Sequence, residues 1–260
     1  MWRSPSPKSP SALRALPDFI ENIRVRALQG HVLEQVQWGQ VLLNSIYVPQ
    51  NPIQARQWFK IAADAGFGPA HNMYGRCYHF GWGCEADLVR AADCYARAAE
   101  LGDAWGRYNL GIASMRGLGV PRDLARAFEL FKKGAEAGHA KSMNLLARFT
   151  EEGWETPRNA EMARVWYRRS AETGDYRGQH NYATLLAEAG HLDEALQWWR
   201  RAVVDATSDI LLAMRARLLA FGERADRPLL EKVEARLTAM HHEQKFRMTQ
   251  ECENVAYDQA

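Results

Sequence analysis

Glycine recurs in this sequence at a fixed interval of 36 residues. The column consists of Gly30, Gly66, Gly102, Gly138 and Gly174. Four other columns keep the same step, and in one copy they are Asp123, Ala127, Phe131 and Ala135. A fixed period of this length predicts a solenoid, because each copy is a small structural unit that buries its apolar face only against its neighbours.

Each copy has the pattern of two helices. The first helix of the third copy is predicted over residues 104–116, and a Gly-rich loop follows it. Asp123 then stands where an N-cap is needed, and Ala127 and Phe131 continue with helical spacing. Gly138 ends the second helix, because glycine adopts the left-handed C-cap conformation without steric cost. The pattern therefore predicts one helical hairpin in each repeat.

The motifs of one copy, in order, are A-x-x-x-[LY]-G-x-x-[Y], G-x-G, x-x-D and A-x-x-[WLC]-[FY]-x-x-[AGS]-A-x-x-G. This order resembles the Sel-1-like repeat family, relatives of the tetratricopeptide repeats with a longer loop between the helices. The resemblance covers residues 30–205, with Ala147 and Ala183 in place of the glycine of the first helix. It implies an all-α, right-handed α-solenoid of about five helix-turn-helix repeats that serves as an adaptor or scaffold.

The expected layout has four parts. Residues 1–17 are rich in proline and serine and read as a flexible tail, and residues 18–205 form the repeat array. The fifth repeat lacks four loop residues and resembles a tetratricopeptide repeat. Residues 206–248 are expected to form capping helices with a polar outer face, and residues 249–260 a second flexible tail.

The composition excludes several classes of protein. A net charge of +2 over 260 residues is no basic excess, so a nucleic-acid partner is not expected. The start of the chain, M-W-R-S-P-S-P-K-S-P-S, has no apolar run, so neither a signal peptide nor a membrane anchor is expected. The four cysteines do not follow the period, which favours reduced thiols and a cytoplasmic protein.

The resemblance also implies where a partner binds. In this superfamily the first helix of each repeat lines a concave groove, and the matching positions imply a protein or peptide site at Asn72, Arg76, His79, Tyr108, Arg116, Asn144, Arg148 and His180. The pairs of Asn with Arg resemble the carboxylate clamp of some tetratricopeptide domains. The alternative is that these polar residues lie on an exposed helix face and contact only water. A different recognition surface is offered by the loop tryptophans, Trp82, Trp105 and Trp154.

No motif for catalysis or cofactor binding is present, so we expect neither an enzyme nor a bound cofactor. The rival hypothesis is an accessory protein with a metal or small-ligand site in the second repeat. It rests on Cys77, His79, Cys84 and Cys94, because thiolate and imidazole are zinc ligands. Against it, Cys94 occupies a core column, and buried unpaired cysteine commonly packs as a small hydrophobic residue.

Overall fold

The computed structural model describes residues 16–44, 46–222 and 226–257, and within them the chain forms thirteen α-helices and no strand. In chain order these are α1 (Asp18–Leu28), α2 (Val32–Asn44), α3 (Pro52–Asp64), α4 (Gly68–Phe80), α5 (Leu88–Glu100), α6 (Ala104–Arg116), α7 (Leu124–Glu136), α8 (Ala140–Glu152), α9 (Ala160–Glu172), α10 (Tyr176–Glu188), α11 (Leu192–Ala202), α12 (Ser208–Ala220) and α13 (Arg227–Tyr257). The predicted all-α architecture is confirmed.

Two compact units divide the chain, residues 1–113 with 117–121 and residues 114–116 with 122–260. In the first unit, each helix from α1 to α4 packs on the next one along the chain. In the second unit the same holds from α7 to α10, and α12 packs on α13. Consecutive helices therefore form hairpins that stack on their neighbours, which is the predicted solenoid of helix-turn-helix repeats.

The recurring polar and glycine columns define the ends of the second helices. Asp123 caps α7, because its carboxylate accepts a hydrogen bond of 2.8 Å from the backbone N–H of Arg126. At the other end Gly138 has a φ of 87°, and the N–H of His139 donates to the carbonyl of Gly134 at 2.9 Å. This is the hydrogen-bond pattern of a Schellman C-cap. Asn51, Asp87 and Asn159 cap their helices in the same way as Asp123.

In the first two repeats, the aromatic ring of the second helix packs on the glycine of the first helix. Phe59 is completely buried, and a Cβ added to Gly39 would lie 2.5 Å from its ring. A Cβ added to Gly75 would lie 2.8 Å from the ring of Tyr95. The two columns recur together because a ring on the second helix occupies the space that glycine leaves on the first.

The C-terminal helices differ from the expectation in two respects. Helix α12 exposes Leu212 and Leu219 by 54% and 51%, whereas a terminal cap is expected to be polar. Helix α13 continues to Tyr257, beyond Thr249, where the second tail is expected to begin. No glycine or proline interrupts residues 249–257, so nothing in that stretch stops the helix. The predicted tail over residues 1–17 lies almost entirely outside the described residues.

The described helices range in length from 11 residues in α1 to 31 residues in α13. None of them combines the length and the apolar character that a membrane span requires. The long helix α13 is therefore not a candidate span over the residues that the structure describes.

Candidate functional site

Arg76 lies against Trp82 at the end of the first helix of the second repeat. Helix α4 carries Arg76 and ends at Phe80, and the chain turns back at the next residue, Gly81, which has a φ of 72°. The backbone N–H of Trp82 then donates to the backbone carbonyl of Cys77 at 2.9 Å, and this hydrogen bond holds the indole beside the helix. The guanidinium carbon lies 5.0 Å from the centre of the Trp82 ring, within the range of a cation–π interaction. The indole stacks in turn on Phe80, with ring centres 4.9 Å apart.

A cleft of about 330 Å³ opens beside this stack in the first unit. Its lining residues are Gln40, Leu43, Asn44, Gln50, Met73, Arg76 and Trp82. Arg76 is the one charged residue among them, and it is half-buried. Its guanidinium donates a weak hydrogen bond of 3.6 Å to the sulfur of Met73, and no described acidic side chain forms an ion pair with it. The cleft therefore combines a positive charge, an aromatic wall and amide groups.

The fourth repeat contains an equivalent stack in the second unit. The guanidinium carbon of Arg148 lies 5.3 Å from the ring centre of Trp154, and the N–H of Trp154 donates to the carbonyl of Phe149 at 2.9 Å. Arg148 is exposed, whereas Arg76 is half-buried. Glu151 follows Arg148 by one helical turn and accepts a hydrogen bond of 2.7 Å from the hydroxyl of Tyr167. The environment of Arg148 is therefore more acidic and more open to water.

Asn72 and Asn144 connect neighbouring repeats. Asn72 is buried, and its carbonyl oxygen accepts a hydrogen bond of 2.7 Å from the side-chain amide of Asn109. In the second unit the oxygen of Asn144 accepts one of 2.8 Å from Asn181. Each bond joins the first helices of adjacent repeats. Both oxygens are thus engaged inside the solenoid rather than directed to a ligand.

His79, Tyr108 and Arg116 lie near the surface at different depths. His79 is half-buried, and its ring centre is 4.6 Å from that of Phe80. Burial lowers the pKa of His79, and the positive charge of Arg76 lowers it further. Tyr108 is half-buried and meets Trp105 edge to face at 6.0 Å, and Arg116 is exposed at the end of α6.

His180 lies in the core of the second unit. Its side chain is 5% exposed, and its ring centre is 6.4 Å from that of Trp199. Burial lowers its pKa to about 4, and the charge of Arg217 adds to this effect. At neutral pH His180 is therefore an uncharged, enclosed side chain, which leaves little of it within reach of a peptide.

The structure brings together residues that the sequence assigns to two rival surfaces. Arg76 belongs to the predicted groove and Trp82 to the alternative loop surface, but the two side chains are stacked on each other. The same is true of Arg148 and Trp154. The sequence did contain a signal for this contact, since Arg precedes Trp by six residues in both repeats. A left-handed glycine lies between them in each case and turns the loop back onto the helix.

The second repeat does not assemble the side chains proposed for a metal site. Cys77 is buried, and burial raises the pKa of its thiol to about 12. Burial likewise raises the pKa of Cys94 to about 11, while the thiol of Cys84 donates to the carbonyl of Cys77 at 3.6 Å. Across the described ranges, no three His, Cys, Asp or Glu side chains are grouped so that they could hold a metal ion. Burial thus disfavours the thiolate form of Cys77 and Cys94, which is the form that binds zinc.

Comparison with solved structures gives several proteins with a similar fold. A protective antigen of uropathogenic Escherichia coli, c5321, displays a Sel1-like repeat fold, is 25% identical and matches 84% of this chain with a TM-score of 0.63. This chain spans 48% of the length of that protein. A Sel1 repeat protein from Oxalobacter formigenes is 19% identical, with a TM-score of 0.71 over 85% of this chain and 99% of its own. The immunity protein Pa5087 from Pseudomonas aeruginosa is 16% identical, with a TM-score of 0.54 over 86% of this chain and 83% of its own.

The similarity to the last two proteins concerns the fold alone, because the identities are low. No curated protein matches the sequence. The model of the Sel1 repeat matches residues 35–67, 68–103, 106–139, 140–175 and 192–203, which together exceed half of the chain. The first four matches each span a pair of consecutive helices, and the last covers α11 alone. The chain therefore belongs to the Sel1 repeat family.

Proposed function

We propose that this protein is a non-enzymatic adaptor that binds a protein or peptide segment along the first helices of its repeats. The observation that carries the proposal is the half-buried guanidinium of Arg76, which is stacked on Trp82 and paired with no described acidic side chain. Arginine and tryptophan are the residue types that most often dominate the energy of protein interfaces. Stacking also orders the arginine before a partner arrives, which reduces the entropy lost on binding.

The family supports the same function in more general terms. Sel1 repeats are protein-interaction modules, and the fold typically serves as a non-catalytic scaffold. A solenoid suits this role because its repeats present a row of equivalent side chains to an extended partner. An enzyme needs a convergent set of acid, base or nucleophile, whereas the polar side chains that line the cleft beside Arg76 are amides, an indole and a guanidinium.

We further propose that the protein acts in the cytoplasm. The three cysteines that the structure describes, Cys77, Cys84 and Cys94, are free thiols. Free thiols are typical of a reducing compartment. Fractionation of the native cell, with an antibody against the protein, tests this localisation.

The binding function is tested with the full chain and two matched pairs of substitutions. The immobilised protein captures partners from a lysate of the native cell, and each purified candidate is then titrated by calorimetry. The double variant Arg76→Gln, Arg148→Gln removes both stacked guanidinium groups. The control variant, Arg90→Gln with Arg164→Gln, removes two exposed arginines of second helices, and each of these is paired with a nearby acid.

We expect the first variant to bind its partner about tenfold or more weakly, because charge-assisted hydrogen bonds are lost. The control variant should bind like the unaltered protein, and both should keep the helical circular dichroism spectrum. If both variants bind the partner with equal affinity, the partner does not depend on the stacked arginines of the first helices, and the proposed binding site is wrong.

A further inference from the structure

We propose that the cleft beside Arg76 recognises the carboxylate side chain of an Asp or Glu within the bound segment. This inference rests on the proposed function and narrows it to one site and one kind of ligand group. A guanidinium presents a planar set of donors that matches a carboxylate, so it is the natural partner for an acidic residue. The ring of Trp82 holds this donor set in place from one side.

The charges around the cleft favour an anion. Its lining contains Arg76 and no acidic residue. A second guanidinium lies close by, because Arg56 donates to the carbonyl of Gly83 at 3.0 Å. The charges of both arginines act on the same thiol, that of Cys77. Arg76 in the lining creates an attractive potential for a negative group, and Arg56, which bonds to the residue after Trp82, adds to it from outside the lining.

The size and the rim of the cleft favour a side chain from a continuing peptide. A volume of about 330 Å³ is at the lower end of the range for ligand pockets, so it suits one side chain rather than a folded element. Gln40 and Asn44 are exposed along the rim. Their amides can donate to and accept from a peptide backbone that runs across the opening. An acidic side chain can then reach inward to Arg76.

The fourth repeat provides an internal comparison. Arg148 is stacked on Trp154 in the same way, but Glu151 and Glu152 follow it on the same helix at the spacings where side chains are neighbours. The charges of Arg148 and of both glutamates act on the hydroxyl of Tyr167, so the three groups share one environment. The positive charge is therefore offset there. We assign carboxylate recognition to the second repeat and not to the fourth.

A random library of peptides tests the assignment. Each peptide has about 12 residues, which in an extended conformation is long enough to cross one repeat. The peptides are N-acetylated and C-amidated, so that their carboxylates come from Asp and Glu side chains only. The full chain is immobilised, and binders are selected on the unaltered protein, on Arg76→Gln and on Arg148→Gln. The best peptide is then resynthesised with Gln or Asn at the selected acidic position, and also as a neutral peptide with a free C-terminus.

We expect one position to be enriched in Asp or Glu on the unaltered protein and on Arg148→Gln, and to lose this enrichment on Arg76→Gln. The affinity of the resynthesised acidic peptide should be lower for Arg76→Gln than for the unaltered protein, by a factor of about ten or more. Arg76→Lys should give an intermediate affinity, because it keeps the charge and loses the planar fork. Raising the salt concentration from about 0.05 M to about 0.5 M should weaken the acidic peptide more than its neutral analogue.

Three results would overturn the assignment while leaving the adaptor function intact: selected peptides without an acidic position, acidic enrichment that persists on Arg76→Gln, or binding that needs the free C-terminus. If neither the unaltered protein nor either variant selects any peptide, both proposals are rejected: the carboxylate site and the binding of peptide segments. Circular dichroism and the melting temperature of each variant show whether a loss of binding reflects a loss of fold.

Discussion

Arg76 shapes its surroundings through charge as well as through stacking. Its guanidinium lies over Trp82 and Phe80, and its charge lowers the pKa of the neighbouring His79. Burial of His79 has the larger effect and acts in the same direction, since both disfavour the imidazolium form. The ionisation of His79 therefore reports on the charge inside the cleft.

Replacement of Arg76 should be visible at His79. In Arg76→Gln we expect the pKa of His79 to rise and to remain below its ordinary value, because the contribution of burial stays. Titration of the imidazole resonances by NMR measures it. Arg148→Gln is the control and should leave His79 unchanged. An unchanged pKa of His79 in Arg76→Gln would mean that the guanidinium of Arg76 lies farther from the imidazole than its stacked position on Trp82 implies.

The stability of the protein should fall in mild acid because of His180. Its pKa is about 4 in the folded protein, below the ordinary value of 6.5, so the unfolded chain binds the proton more readily. Its Nδ1 atom has no hydrogen-bond partner among the residues that the structure describes. Two charged residues of α12 also act on it: Arg217 lowers the pKa and Asp209 raises it. Between pH 6.5 and about 4, we expect acid to remove about 3 kcal/mol of stability through this residue.

Urea unfolding at a series of pH values measures this loss. The variant His180→Gln is the comparison, because it cannot take up the proton, and its stability should depend less on pH within that window. Parallel pH dependences for the two proteins would show that His180 is not the group responsible.

At the scale of single elements, the loops between helices depend on a column of left-handed residues. Gly83 and Gly119 occupy it with φ values of 70° and 73°, and the fourth repeat has Glu155 there with a φ of 55°. A Cβ on Gly119 would lie 1.9 Å from the carbonyl oxygen of Leu88, which is far inside contact distance. Glutamate in this conformation is strained, so the loop of the fourth repeat departs from the pattern at an energetic cost.

Exchange of these residues should have opposite effects in the two loops. We expect Glu155→Gly to stabilise the protein by about 1 kcal/mol, because glycine adopts a positive φ without strain. Gly119→Ala should destabilise it by more than that amount, since the added methyl group meets the backbone. Thermal unfolding of both variants provides the measurement. A destabilising Glu155→Gly would mean that the glutamate side chain makes compensating contacts.

At the scale of the whole molecule, the repeats are coupled through nearest neighbours. Phe131 belongs to the aromatic column, is completely buried, and meets Phe149 of α8 edge to face at 5.8 Å. In an array of this kind a defect is expected to weaken its own repeat and the adjacent one first. The distribution of the damage therefore tests the architecture more directly than its total size.

Phe131→Ala should reveal this coupling. We expect it to cost about 3–5 kcal/mol, because a large cavity opens in the core. Hydrogen exchange should speed up mainly in α7 and α8, with smaller changes in α10 and α11. Phe131→Leu is the matched control and should cost less, since it fills most of the cavity. Uniform acceleration through the second unit would instead indicate that it unfolds as a single cooperative block.

The amino-acid sequence by itself determined the repeat, its two helices and the ends of those helices. These features are local: Asp123 caps the helix that it begins, and Gly138 adopts the conformation that ends it. The periodic aromatic column also identified the core at Phe59 and Phe131, because helical spacing places these residues on one face.

Only the tertiary structure decided which polar residues remain available for binding. The sequence places Asn72, Arg76 and His180 at inner positions of first helices, yet Asn72 is hydrogen-bonded to the next repeat, Arg76 lines a cleft, and His180 is enclosed beside Trp199. Burial and hydrogen-bond partners depend on residues from other helices, often more than 30 positions away, and no pattern within one repeat contains them. The helices follow from local chemistry, whereas the accessibility of a side chain is a property of the packed repeats.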